Sequence, residues 1–125
     1  MNNETFKQSA ATIEEREGAL EAILGKIASP FTPGQSIGIK VHWGEVGNPA
    51  FLPPNLVKVI IGWLKDQGTF PFIFDTTVLY SGSRRTGVGS LATAASHGFT
   101  EEFLGCPLVI ADGMDGSDVV DIPAG

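Results

Sequence analysis

The chain has 125 residues, 42% of them apolar, with a formal net charge of −6 and a pI near 4.7, which is enough for one small globular domain with its own core. The acidic balance and the scatter of its eight basic residues exclude broad nucleic-acid binding, which rests on many Lys and Arg contacts to phosphate. No apolar run approaches the roughly 20 residues of a membrane span, and the N-terminus lacks the charged-then-apolar order of a secretory signal, so a cytoplasmic location is expected.

Residues 1–11 are polar and irregular and are expected to form a flexible lead, with residues 12–125 a single α/β domain or the N-terminal part of a larger one. Thr12 fits a helix N-cap, with Glu15 three residues on completing a capping box and Glu14 and Glu17 near the positive end of the dipole. Ala19, Leu20, Ile23, Leu24 and Ile27 follow at helical spacing. Ser29 to Gly34 reads as a turn. Ile37, Ile39 and Val41 then alternate as a first strand, in which Gly38 allows a close approach of another backbone.

A glycine-bearing loop to Pro53 separates this strand from a second helix over 55–67, in which Leu56, Val57, Val59, Ile60, Ile61, Trp63 and Leu64 are apolar nearly all round. Such a helix is expected to pack against a second copy of the chain or against a further C-terminal segment. Phe70 to Phe74 is a second strand, leaving at Asp75, Thr76 and Thr77. A polar loop through Tyr80, Arg84 and Arg85 leads to a small-residue helix over Val88 to Ser96, and Leu108 to Ala111 is a third strand ending at Asp112. Strands separated by helices imply right-handed crossovers. The expected fold is α/β, three-layered and Rossmann-like, a mostly parallel sheet with helices on its faces, incomplete in this chain.

In such sheets ligands sit beyond the carboxyl ends of the strands. Lys40, His42 and Glu45, then Asp75 and Thr76, then Asp112 all fall at strand exits, so they are expected along one edge. Alternation puts Lys40 and His42 on the same face. Lysine suits an anion, histidine a metal or a proton near neutral pH, and Glu45 can orient it. Two ligating groups are too few for a metal without Asp75 or Asp112, and they single out no particular metal.

The run Ser81 to Ser90, with Arg84 and Arg85 before a helix start, suits phosphate or carboxylate. It is neither a Walker loop nor a dinucleotide fingerprint, and a loop pairing with the protein's own acids is the alternative. Asp75 after four apolar residues resembles the nucleophile strand of haloacid-dehalogenase-type phosphatases, although the usual second aspartate is replaced by Thr77. Magnesium-dependent phosphoryl transfer is therefore a competing reading. The acidic loop from Asp112 to Asp121 does not match calcium-loop spacing. His97 at a helix end is expected to satisfy terminal carbonyls, and Cys106 to be a small buried residue.

The ordered series KVHWGEVGNPAFLPP, FIFDTTVLYSGSR, TAASHGF and VIADGMDG, spanning Ile37 to Gly116, resembles the N-terminal part of the domain of unknown function 362 family. That family includes longer proteins described as iron-sulfur proteins, many with a ferredoxin-type segment. The resemblance implies a polar set of Lys40, His42, Glu45, Asn48, Asp75, Thr76, Tyr80, Arg84 and Asp112. The chain departs from the family pattern at Arg84-Arg85-Thr86-Gly87. With one cysteine, Cys106, it carries no ferredoxin series, so a 4Fe-4S cluster is expected only in a further segment or a partner.

The leading expectation is a domain that binds an anionic small molecule at the strand edge, for redox chemistry with an external cluster. Lys40 and Arg84 would hold the anion, with Asn48, Thr76, Tyr80 and Asp112 around it. His42, Glu45 and Asp75 would be the catalytic groups. A non-catalytic binding or assembly module is the competing class.

Overall fold

The computed structural model of the chain describes residues 5, 7 and 10–123. Residues 1–4, 6, 8 and 9, which make up most of the expected lead, lie outside them. The capping box opens helix α1 (Ile13–Leu24) as its sequence requires: the Glu15 amide donates to Thr12 Oγ1 at 3.1 Å, and the Thr12 amide donates back to the Glu15 carboxylate at 3.1 Å. The helix stops at Leu24, short of Ile27, because Gly25 follows and the next amides bond three residues back.

Strand β1 (Ser36–Lys40) leads through a long loop to α2 (Pro54–Asp66), which opens on a proline that needs no N–H. Strand β2 (Phe70–Asp75) and a 3-10 turn at Ser83–Arg85 lead to α3 (Gly87–Ser96), a short α4 (Glu101–Leu104) and β3 (Leu108–Ile110). The strands form one open parallel sheet in the order β1-β2-β3. Ile39 pairs with Ile73, and Asp75 with Ile110. The fold is thus α/β with a parallel sheet.

The pleat divides the sheet into two unlike faces. Val41, Ile73 and Ile110 enter the core with Val57 and Ile61 of α2, Ala94 of α3 and Leu104 of α4, around the fully buried Trp43 and Phe99. Helix α1 packs on α2, so α2 finds cover on both sides within the chain. Its apolar circumference is the signature of that middle position.

The opposite face presents Phe70, Phe72, Phe74 and Val109, with Phe70 66% and Val109 38% exposed. Here the approach that Gly38 permits is made by side chains. A Cβ at Gly38 would sit 2.9 Å from Phe72 and 3.1 Å from Phe74, so its absence lets both rings lie across β1. No helix of the described residues is long and apolar enough to cross a membrane.

Candidate functional site

The parallel arrangement brings the exits of β1 and β2 to one edge, where His42, Glu45 and Asp75 meet Arg84 directly, with Lys40 joined through Asp75 and Tyr80 through Glu45. The 3-10 turn Ser83–Arg85 drives Arg84 inward until only 3% of the residue is exposed. Its position is set from below. A Cβ on Gly89 of α3 would lie 1.8 Å from the Ser83 carbonyl, so the turn rests directly on the helix backbone. Thr93 adds a side-chain hydrogen bond to Ser83 at 3.0 Å.

Arg84 Nη2 donates to Asp75 Oδ2 at 2.6 Å, and Nη1 to Glu45 Oε1 at 2.8 Å. Nη1 also meets His42 Nδ1 at 3.1 Å. Asp75, 2% exposed at the last position of β2, takes Lys40 Nζ on its other oxygen at 2.8 Å and the Thr76 amide at 2.9 Å. Tyr80 donates its hydroxyl to Glu45 Oε1, bridging the two loops. That bond, ahead of the Arg84 guanidinium, holds the Glu45 carboxyl below its usual range, although partial burial acts the other way. The same bond raises the Tyr80 phenol above its ordinary value.

The tautomer of His42 follows from its neighbour. Arginine carries only donors, so the ring nitrogen facing it must accept, and the remaining proton sits on Nε2. An ion pair of Nδ1 with Asp75 Oδ2 would need that nitrogen protonated, but their 3.9 Å separation is beyond hydrogen-bond range. The nearer contact with Arg84 decides. With Nδ1 turned to Arg84, His42 presents Nε2–H outward as a donor, and its side chain is 56% exposed.

The other sequence-derived residues lie around this cluster. Asn48 uses its carboxamide within its own turn, accepting from the Ala50 amide at 2.9 Å, and closes the Glu45–Asn48 bridge that presents Glu45. Thr76 contributes its backbone to Asp75. Asp112 accepts from the Thr77 amide at 2.8 Å and the Thr77 hydroxyl at 2.5 Å, tying the β3 exit to that of β2. Burial alone would raise its carboxyl, but these two donors prevail and hold it low. Arg85 is exposed.

Two supporting residues escaped the reading of polar motifs. Trp43, fully buried, donates Nε1 to Ser90 Oγ at 3.1 Å, pinning the loop after β1 to α3. His97 Nδ1 donates to the Trp43 carbonyl at 2.7 Å and its ring stacks on Phe51 at 4.2 Å. The carbonyl it satisfies belongs to the β1 loop, not to its own helix end. A tryptophan inside a motif of polar residues is the signal that such bracing exists.

A family model described as a domain of unknown function, DUF362, matches residues 37–125. The chain belongs to the DUF362 family. The match takes in every residue of the Arg84 cluster and leaves out α1. No curated protein and no solved structure matches the chain.

The cysteine content of this DUF362 chain does not fit a cysteine-held cluster, because Cys106 is its one cysteine and is buried just before β3, at the end of the sheet away from Arg84. Among the described residues no three His, Cys, Asp or Glu side chains are grouped as a metal site. Two sizeable concavities lie elsewhere, one between α1 and α2 beside Trp63 and one at the amino edge of the sheet beside Phe70 and Cys106. The Arg84 cluster is the better candidate site, because ligand recognition needs convergent polar groups as well as volume.

Proposed function

We propose that this DUF362 chain binds an anionic small molecule at the carboxyl edge of its sheet. Lys40 Nζ and His42 Nε2–H would be the contacting donors, while Asp75 and Arg84 hold them in place. The observation that carries this reading is the pairing of half-exposed donors with a buried framework. Lys40 and His42 have side chains 52% and 56% exposed, whereas those of Asp75 and Arg84 are 3% and 4% exposed. Side chains locked by internal bonds lose little further freedom when a ligand arrives.

Asp75 is less suited to attack phosphorus, since both its oxygens already accept from Lys40 or Arg84. In this tautomer His42 offers Nε2–H to a bound anion as a hydrogen bond and keeps its proton.

The test is a titration of the chain with small carboxylates and inorganic phosphate, followed by amide chemical shifts. Lys40→Ala and His42→Ala should each weaken binding, by about tenfold or more for the lysine, since a charge-assisted bond contributes roughly 1.5–3 kcal/mol. Equal affinity in the parent and both variants would sink the assignment.

A further inference from the structure

The four charges of the cluster cancel: Lys40 and Arg84 against Asp75 and Glu45. The two acids are not equivalent. Asp75 ends β2, is bonded by Lys40, Arg84 and the Thr76 amide, and belongs to the framework. Glu45 stands on an exposed turn closed by Asn48, between Gly44 at φ +90° and Gly47 at φ +82°, and its side chain is 29% exposed. Its carboxylate reaches down to one guanidinium nitrogen and one phenol hydroxyl. The guanidinium bond is the one that a free carboxylate would make in the same place, whereas the phenol bond serves Glu45 alone.

The guanidinium is also incompletely used. Nε of Arg84 is buried and has no hydrogen-bond partner among the described residues. A buried donor left unpaired is costly, and a carboxylate engages arginine best through two parallel bonds. Glu45, tethered to its turn, delivers one, at Nη1 on the side of the guanidinium away from Nε.

We infer that Glu45 is a built-in stand-in for the ligand, and that the ligand class is a small monocarboxylate which displaces it from Arg84 and Tyr80. This rests on the anion-binding reading above and adds the seat, the competitor and the charge class. Exchange of one carboxylate for another keeps the cluster neutral, whereas a phosphate dianion would leave an excess negative charge beside buried Asp75. The two positive-φ glycines give the turn the backbone freedom to swing Glu45 aside. Tyr80 is then a clamp that favours the closed state.

A competitor that fills the seat nine times in ten lowers the apparent affinity about tenfold. Butyrate and inorganic phosphate are titrated into the parent chain, Glu45→Ala, Tyr80→Phe and Lys40→Ala, with the Arg84 Nε–H resonance followed by nitrogen-edited NMR. Butyrate should shift that resonance, and Glu45→Ala should tighten butyrate binding about tenfold. Tyr80→Phe, a change on an exposed side chain that leaves the framework bonds intact, should tighten it several-fold.

Unchanged or weaker binding in both Glu45→Ala and Tyr80→Phe, while Lys40→Ala still impairs it, would overturn the stand-in and leave the anion site intact. Phosphate binding tighter than butyrate would overturn the ligand class. Failure of either anion to bind any variant would instead bring down the underlying reading.

Discussion

Arg84 is the residue on which the edge depends, because one guanidinium orders a histidine, two carboxylates and, through Asp75, a lysine. A buried charge of this kind is tolerable only while its partner remains. Asp75→Asn should therefore destabilise the chain by about 3–5 kcal/mol, the cost of leaving a buried ion uncompensated, as measured by urea denaturation. A loss below about 1 kcal/mol would mean that Glu45 alone neutralises Arg84, a surface-like strength. The partners of Arg84 were legible in the sequence because each stands at a strand exit or in the loop that follows. The direction of the arginine was not, since a pair of adjacent arginines gives no sign of which one turns inward. That choice is made by the turn resting on α3, with Arg84 buried and Arg85 left in water.

At the level of elements, α3 serves the site through a close backbone contact at Gly89 and through the small side chains of Ser90 and Thr93. Its small residues look like filler in the sequence. The 3-10 turn lies so close to it that Gly89→Ala would force the Ser83 carbonyl outward, from a Cβ distance of 1.8 Å. Overpacking of this kind costs typically 1–3 kcal/mol, and here the strain falls on the turn that aims Arg84. The expected outcome is a lower melting temperature together with weakened carboxylate binding. A stability loss with unaltered binding would show that the turn relaxes without moving Arg84. The long strands and helices were readable from periodicity, but α4 was not, because four residues hold no period. Its signs are chemical: Thr100 caps the Phe103 amide at 3.1 Å, and Gly105 closes the helix in the left-handed region at φ +70°.

For the whole molecule, the sheet's aromatic face and the acidic surface pull in different directions. Apolar surface such as Phe70 and Val109 favours association, whereas a net charge of −6 opposes it at neutral pH. Acidification removes that repulsion while weakening the fold at its edge. Glu45 and Asp112 both have carboxyls held below their ordinary values in the folded chain, by the Tyr80 and Arg84 bonds and by the Thr77 donors respectively. Between the folded and unfolded values the unfolded chain binds more protons, so stability rises with pH there. The contribution is complete above the unfolded carboxyl range, about pH 4–4.5, and is lost as pH falls through the lowered folded values. Denaturation curves should therefore show a flat midpoint from pH 7 to about 5 and a decline below about 4. In Glu45→Gln the decline should be shallower, because one of the linked protons has been removed, and its midpoint at neutral pH should be lower than that of the parent. A parent and variant with superimposable acid limbs would show that the Tyr80–Glu45–Arg84 bridge is not populated in solution, and the stand-in role of Glu45 would fall with it.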